Sequence, residues 1–148
     1  MIKFHEVAEV LKKVDGESIL PRRATKGSCA YDFYAKTNYT VKPNEIVKIW
    51  TDVCAEMDED KVLLVNIRSS MGSTWNLINE QGWIDSDYIN ATNGGNIGIF
   101  LQNKTNEVQT INKGDRIGQG MFVSYFTTVD DEPISEERTG GYGSTGNN

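Results

Sequence analysis

The sequence predicts an all-β domain built as a barrel or a sandwich. Four of its segments are rich in Val, Ile, Phe and other residues that favour strands; they lie at 45–50, 61–67, 97–102 and 116–126. In the third segment Ile97, Ile99 and Leu101 recur at every second position, which is the period of a strand. Turn-forming Pro, Asn, Gly and Asp separate the segments. Many short strands joined by frequent turns are typical of barrels and sandwiches.

One segment near the N-terminus has a different period. Val7, Val10, Leu11 and Val14 stand at positions i, i+3, i+4 and i+7, and an Asp-Gly pair follows them at 15–16. This spacing predicts a short helix that covers the core. We assign no chemistry to it.

The chain has 148 residues, enough for one domain with a substantial core. We assign residues 1–133 to the β domain and residues 134–148 to a flexible, glycine-rich C-terminal tail. Residues 139–148 carry no aliphatic side chain, so they cannot bury enough apolar surface to offset the entropy of ordering. The tail could nevertheless close over a phosphorylated ligand.

Composition narrows the expected location and partners. Hydrophobic residues make up 38% of the chain and charged residues 24%, which is ordinary for a soluble globular protein. No apolar run approaches the roughly 20 residues that span a bilayer, and the N-terminus lacks the layout of a secretory signal. We therefore expect a cytoplasmic protein with no membrane partner. The net charge of −6 argues against broad nucleic-acid binding, although a few arginines and backbone amides could hold a small anion.

The scarcity of His and Cys restricts the chemistry. The chain has one histidine, His5, and two cysteines, Cys29 and Cys54, which are too few at suitable spacing for a zinc site. Nucleophilic catalysis assisted by a histidine would depend on His5 alone. An enzyme of this composition should therefore use carboxylates with a hard metal ion such as Mg²⁺.

Five segments combine Gly, Ser, Asp and Arg in ways that bear on function. In chain order they are Gly27-Ser28-Cys29-Ala30-Tyr31-Asp32-Phe33, Arg68-Ser69-Ser70-Met71-Gly72, the stretch from Asn79 through Gly82-Trp83-Ile84-Asp85-Ser86-Asp87-Tyr88, Gly114-Asp115-Arg116-Ile117-Gly118-Gln119, and Gly140-Gly141-Tyr142-Gly143-Ser144-Thr145-Gly146. Each alone is a weak signal, because an isolated Gly-Asp-Arg is more often a turn before a strand. Together they resemble the five ordered motifs of the trimeric dUTPase family, in particular its Gram-positive bacterial and phage members.

The resemblance implies a jelly-roll-like homotrimer that binds dUTP and hydrolyses it to dUMP and pyrophosphate, by attack of water on the α-phosphorus. Asp85 would be the general base that orients this water, with a turn-capping aspartate as the structural alternative. Asp32 would act near the metal through water, with a surface-loop carboxylate as the alternative. Mg²⁺ would be held mainly by the triphosphate, in keeping with its reluctance to lose bound water.

The same resemblance assigns residues to the phosphates. It implies contacts from Arg68, Ser69, Ser70 and Gln119, with the serines acting partly through their backbone amides. It also implies that Arg138 reaches the γ-phosphate. From sequence alone, Arg68 could instead form a surface ion pair and Gln119 could be a polar residue at a strand edge.

Base and sugar recognition would come from a β-hairpin. Tyr88 resembles the tyrosine that lies beneath the deoxyribose and leaves no room for a 2′-hydroxyl, with a buried core tyrosine as the alternative. Backbone groups near Trp83, Ile84 and Gly98 would hydrogen-bond the uracil edge, and Asn79 would add its amide. A glycine at position 98 suits a close backbone approach to the base.

In the tail, the resemblance implies substrate contacts from Tyr142, Gly143 and Ser144, the tyrosine stacking on uracil. In the family each site takes motifs from all three subunits, so an isolated monomer should be inactive. This chain departs from the family pattern at Trp83, where an aliphatic residue is usual, and at residues 90–96, which lengthen the hairpin tip.

Two other functions are open. A dCTP deaminase of the same fold would need a carboxylate that activates water at the cytosine ring, and no glutamate stands at the matching hairpin position. A phage regulatory protein would keep the fold and bind a host regulatory protein through residues 90–96. Loss of that loop should then abolish partner binding, whereas an enzyme should keep its turnover.

Overall fold

The computed structural model describes residues 1–138 and 140–141 of the chain. Its strands are β1 (Lys3–Glu6), β2 (Arg22–Arg23), β3 (Tyr31–Tyr34), β4 (Tyr39–Val41), β5 (Ile46–Trp50), β6 (Val53–Glu56), β7 (Lys61–Asn66), β8 (Trp75–Leu77), β9 (Gly82–Asp85), β10 (Gly98–Asn103), β11 (Gln109–Ile111) and β12 (Arg116–Ser124). Short 3₁₀ turns occupy Glu9–Leu11, Ser69–Met71 and Ser86–Asn90. The described residues contain no α-helix, which confirms the all-β prediction. No helical segment among them has the length and apolarity needed to cross a membrane.

The strands pair antiparallel into one large sheet and three smaller ones. The large sheet has five strands in the order β2-β3-β12-β7-β9, and a second sheet has three in the order β5-β10-β8. The remaining pairs are β1 with β6 and β11 with β4. Because β12 lies between β3 and β7, Gln119 is opposite both Asp32 and Asn66. The strand order thus brings the first and fourth sequence motifs side by side.

The core is built by the predicted alternation along the strands. On β10, Ile99 and Leu101 are buried, whereas Phe100 and Gln102 are only partly covered. Full burial of one such aliphatic side chain contributes roughly 1.5–3 kcal/mol. A slip of one residue would turn these side chains to the outer face, so the core fixes the register of the strand.

The predicted N-terminal helix is wrong. Among the described residues of this region only Glu9–Leu11 are helical; Val10, expected on the buried face, is 89% exposed, while Val7 is buried. The backbone amides of residues 13–14 donate to the carboxylate of Asp52, which lies far away in sequence. Apolar spacing could not reveal this long-range partner, which holds the backbone in a non-helical path.

A buried ion pair lies where this N-terminal segment meets the sheets. Lys36 Nζ donates to Asp52 Oδ2 and to the carbonyl oxygen of Val14, at 2.7 Å in both cases. Both side chains of the pair are fully buried. Burial raises the pKa of Asp52, but hydrogen bonds from Lys36, the amides of residues 13–14 and Asn96 outweigh it. Together they hold that pKa below its ordinary value of 3.8, so the carboxylate is charged in the folded protein.

The lowered pKa of Asp52 predicts an acid-dependent loss of stability. A group whose pKa is lowered by folding stabilises the folded state above its unfolded-state pKa, and this contribution disappears as the pH falls through the folded-state pKa. At pH 7 Asp52→Asn should lower the free energy of unfolding by about 3 kcal/mol, because it leaves Lys36 buried without its counter-ion. The difference from the parent protein should shrink as the pH falls below about 4.

Urea unfolding at pH 7 and at pH 3 measures both values. The control is Asp130→Asn, which removes a carboxylate from an exposed residue and should change stability little at either pH. A stability difference for Asp52→Asn that stays constant with pH would contradict the linkage to Asp52.

Candidate active site

A pocket of about 280 Å³ opens between the edge strand β9 and the start of β10. Apolar side chains and a few convergent polar groups make up its lining, as in most ligand pockets. The lining residues are Val65, Leu77, Asn79, Gln81, Gly82, Trp83, Ile84, Asp85, Tyr88, Gly98, Arg138 and Gly141. The only carboxylate among these lining residues, within the part of the chain that is described, is that of Asp85. All the predicted base-site and sugar-site residues of the hairpin therefore come together here.

Asp85 is the last residue of β9. The strand alternates, with Gly82 and Ile84 buried and with Trp83 and Asp85 exposed. Asp85 directly precedes the 3₁₀ turn Ser86–Asn90, yet its carboxylate makes no capping hydrogen bond to that turn. The turn-capping alternative is therefore wrong, and the half-exposed carboxylate stands at the mouth of the pocket.

Arg138 bridges two aspartates of the third motif. Its Nη2 is 2.5 Å from Asp85 Oδ2, and its Nε is 2.6 Å from Asp87 Oδ1. Its Nη1 donates to the carbonyl oxygen of Gly140 at 3.1 Å. The predicted contact of Arg138 with the γ-phosphate stays a prediction; in this chain Arg138 lies against the candidate general base. A guanidinium held by two carboxylates can exchange them for phosphate oxygens, which have similar geometry.

Tyr88 is a core tyrosine, as its structural alternative supposed, while its predicted contact with the deoxyribose stays a prediction. It is 4% exposed and belongs to the core, and it also lines the pocket. Its hydroxyl donates to the carbonyl oxygen of Asn96 at 2.6 Å and accepts from Nδ2 of Asn93 at 2.8 Å. The backbone of Gly141 lies so close that a Cβ there would come within 2.3 Å of the ring. Tyr88 is therefore a tightly held part of the pocket wall.

Position 98 requires glycine for a reason that the sequence did not reveal. A Cβ there would lie 2.7 Å from Cε1 of Phe100 and 3.0 Å from the indole ring of Trp50. These two rings pack edge to face, with centroids 5.4 Å apart. The missing side chain thus makes room for an aromatic pair at the start of β10, beside the pocket.

A second cluster of predicted site residues surrounds Asp32. Its side chain is only 7% exposed, and its Oδ1 accepts from Nε of Arg68 at 3.1 Å. Oδ2 of the same carboxylate lies 3.7 Å from Nη1 of Arg116, and Arg68 also donates to the hydroxyl of Ser70 at 3.3 Å. Asp32 is therefore a buried carboxylate between two guanidinium groups, and the surface-loop alternative is wrong.

Gln119 and two serines complete this cluster. Gln119 lies on the central strand β12 opposite Asp32, so the strand-edge alternative is wrong; its Nε2 donates to the carbonyl oxygen of Ile67 at 3.4 Å. Ser69 and Ser70 are exposed in the 3₁₀ turn after β7. A pocket of about 350 Å³ lies against Gln119, Asp32 and the first sequence motif.

The two clusters do not meet within one chain. β7 pairs with both neighbouring strands, and its Val62 is opposite Asp85 whereas its Asn66 is opposite Gln119. Four residues of an extended strand span about 13 Å, and the two pockets have no lining residue in common. The candidate general base and the Asp32 cluster are thus separated along the sheet, whereas Arg138, also assigned to the phosphates, lies against Asp85.

Three predicted contacts cannot be placed on this geometry. Tyr142, Gly143 and Ser144 lie outside the described residues, and their contacts with substrate stay predictions.

Sequence reasoning in turn missed Asn93 and Asn96, which hold the hydroxyl of Tyr88. The only signal for them was their position on either side of a Gly-Gly pair, where asparagines are common turn residues.

The described residues fit a magnesium ion that arrives with a phosphorylated ligand. No cluster of three or more His, Cys, Asp or Glu side chains that could hold a metal forms within residues 1–138 and 140–141. Asp32 offers a carboxylate beside residues predicted to contact the phosphates, but both of its oxygens already face guanidinium groups. Contact through water is compatible with this arrangement, because Mg²⁺ keeps several waters and binds through few carboxylates plus substrate phosphates.

The chain is an all-β protein with a pocket beside a single carboxylate among its described lining residues, and comparisons with known proteins identify its family. The family model described as dUTPase matches residues 16–146. A deoxyuridine 5′-triphosphate nucleotidohydrolase of Lactococcus lactis is 39% identical over 143 residues, which cover 93% of this chain and 95% of the relative. The Swinepox virus protein of the same name is 33% identical over 138 residues, covering 90% and 94%.

Solved structures agree with this result. The dUTPase of Streptococcus mutans has a TM-score of 0.74 and 30% identity, and the match covers 84% of this chain and 97% of that one. The dUTPase of Staphylococcus bacteriophage 80alpha has a TM-score of 0.70 at 22% identity, covering 93% and 99%, and supports the fold alone. This chain belongs to the dUTPase family. The predicted jelly-roll-like all-β fold and the resemblance to Gram-positive bacterial and phage members are confirmed.

The packing around position 98 predicts the effect of a single methyl group. Gly98→Ala should lower the free energy of unfolding by about 1–3 kcal/mol, because the new Cβ overlaps the rings of Phe100 and Trp50. Gly72→Ala is the matched control, since a Cβ there meets only an ordinary contact, at 3.7 Å. Thermal and urea unfolding of both variants measure the difference, and equal stabilities would contradict the close packing.

Proposed function

We propose that this chain hydrolyses dUTP to dUMP and pyrophosphate by attack of water on the α-phosphorus. The observation that carries the proposal is Asp85, a carboxylate at the mouth of a ligand-sized pocket in a chain of the dUTPase family. A carboxylate in that place can orient a water molecule and accept its proton. The pocket below it would hold the nucleoside, with Tyr88 against the deoxyribose and the backbone near Gly98 against the base.

The Arg138 guanidinium bears on the proposed proton transfer. In this chain it binds Oδ2 of Asp85, so that oxygen is occupied while the arginine stays in place. A triphosphate offers the guanidinium a competing set of charged oxygens. Transfer of Arg138 from Asp85 to the phosphates would release the general base at the moment when substrate is bound.

The Asp32 cluster would bind the phosphates. Arg68 and Arg116 carry the positive charge, and the exposed turn at 69–70 offers backbone amides and hydroxyls. Asp32 holds both guanidinium groups in place and would contact the metal through water. Mg²⁺, bound mainly by the triphosphate, would supply charge neutralisation on its oxygens.

We also propose that the working unit is a homotrimer. Asp85 and the Asp32 cluster are separated within one chain, so a complete site requires the hairpin of one copy to meet the cluster of another. The segment after β12 supports this assembly, because Phe126, Val129 and Ile134 are almost fully exposed in the single chain. Exposed apolar side chains of this kind mark protein interfaces, and a neighbouring copy would cover them.

The other candidate functions gain less support. A deaminase would need a second carboxylate at the base, and the described pocket lining has none beyond Asp85. A role for residues 90–96 in binding a host protein stays a prediction, as do the cytoplasmic location and the lack of nucleic-acid binding. Deleting that loop would not separate the two functions, because it would remove Asn93 and Asn96 from Tyr88.

Substitution of the general base tests the chemistry. Asp85→Asn should fold and bind dUTP, but its kcat should fall by about 10²–10⁴, the usual cost of losing a general base. Asp87→Asn is the matched control, because it removes another carboxylate partner of Arg138 from a residue outside the pocket lining. Release of dUMP and pyrophosphate measures turnover. Activity of Asp85→Asn close to that of the parent protein would refute the assignment.

Mixing two inactive variants tests the shared site. If each site joins Asp85 of one copy to Arg68 of another, Asp85→Asn and Arg68→Gln should complement each other after joint refolding. Random assembly of equal amounts into trimers should restore about a quarter of the parent activity, since one site in each mixed trimer is intact. Each variant refolded alone is the control. No activity in the mixture would show that a site uses both residues from the same chain.

A further inference from the structure

The hydroxyl of Tyr88 is held by two asparagines of the lengthened loop at residues 90–96. It donates to the carbonyl oxygen of Asn96 at 2.6 Å and accepts from Nδ2 of Asn93 at 2.8 Å. A phenol has one proton to donate, and its oxygen also accepts, so the hydroxyl is bound in both of its roles. This fixes the distance of the ring from the loop as well as its orientation.

Both asparagines are themselves fixed. Oδ1 of Asn93 accepts the amide of Gly95 at 3.0 Å, in a tight turn where Gly95 has a φ of +74°. A Cβ on that glycine would lie 2.6 Å from Cα of Ile89, so the turn packs directly on the 3₁₀ segment that carries Tyr88. The loop is therefore a built part of the pocket wall.

Asn96 connects this wall to the buried ion pair. It is fully buried, its Oδ1 accepts the backbone amide of Asp52 at 2.9 Å, and its Nδ2 donates to Oδ1 of Asp52 at 2.8 Å. Lys36 holds the other oxygen of the same carboxylate. The carbonyl oxygen that accepts from the Tyr88 hydroxyl thus belongs to a buried residue whose two side-chain polar atoms are both hydrogen-bonded.

We propose that Asn93 and Asn96 are positioning residues that give the site its preference for deoxyribose, by preventing Tyr88 from moving away from the sugar. The proposal rests on the function proposed above, in which Tyr88 lies beneath the deoxyribose. A ring excludes the 2′-hydroxyl of a ribonucleotide only if it cannot retreat to make room for one more oxygen. Two hydrogen bonds from a rigid loop, together with the backbone of Gly141 against the ring, supply that resistance.

The amide of Asn93 is the part of this arrangement that can be removed with the least disturbance. Asn93 is only partly buried, whereas Asn96 and Asp52 are fully buried and their loss would affect folding. Thr92, the adjacent residue, has an exposed side chain and provides a control in the same loop. Asn93→Ser keeps a side-chain acceptor for the tight turn and removes the amide that donates to Tyr88, so it tests the proposal should Asn93→Ala fold poorly.

The test measures dissociation constants for dUMP and UMP by calorimetry in the full chain, and takes the ratio of UMP to dUMP as the sugar preference. Asn93→Ala should lower this ratio about two- to tenfold, the effect of one neutral hydrogen bond, while Thr92→Ala leaves it unchanged. Tyr88→Phe should also lower the ratio, and adding Asn93→Ala to it should have no further effect, because the two changes remove the same bond.

An unchanged ratio in Asn93→Ala would overturn the proposal, and so would an equal further fall in the Tyr88→Phe background. Equal affinities of the parent protein for dUMP and UMP would overturn it as well. dUTP turnover measured on the same samples separates this inference from the proposed function. A parent protein that prefers dUMP in the predicted way but hydrolyses no dUTP would refute the proposed hydrolysis and leave the role of the asparagines standing.

Discussion

The buried contact between Lys36 and Asp52 is the interaction on which the rest of the structure depends. A carboxylate and an ammonium group removed from water are stable only when each is well hydrogen-bonded, and Asp52 meets this condition with partners from three distant segments. It fixes the path of the N-terminal segment through the amides of residues 13–14 and the start of β10 through Asn96. Because the carbonyl oxygen of Asn96 also accepts from the hydroxyl of Tyr88, the same contact extends to the wall of the pocket beside β9.

The register of the large sheet keeps the two groups of predicted site residues, the hairpin pocket and the Asp32 cluster, apart from each other. β7 places Asp85 near one of its ends and Gln119 near the other, so the hairpin pocket and the Asp32 cluster face different parts of the surface. Each of the two groups has its own ion pairs. Two guanidinium groups contact Asp32 in the Asp32 cluster, and two aspartates contact Arg138 at the hairpin pocket. This separation is the reason for proposing a site completed between copies, in which the apolar segment after β12 would be covered.

Several of the predicted site residues lie together because their motifs are local. The hairpin motif keeps Asp85 and Tyr88 at one pocket, since a strand and the turn that follows it determine their spacing. The predicted helix around Val10 failed for a different reason: Asp52, a residue distant in sequence, binds the backbone amides that a helix would use. Apolar spacing carries no information about such a partner, and it carried none about Asn93 and Asn96 either.

The sequence by itself determined the all-β fold, through the period of two in its strands, and the family, through five short motifs in order. Tertiary structure decided which of those residues are buried, which meet and which stay apart. Asp32 could be interpreted as a surface carboxylate until the pairing of β12 with β3 and β7 brought Arg116 and Arg68 to it. The reason is physical: propensities and motifs act over a few neighbouring residues, whereas burial and ion pairing depend on strands that are far apart in the chain.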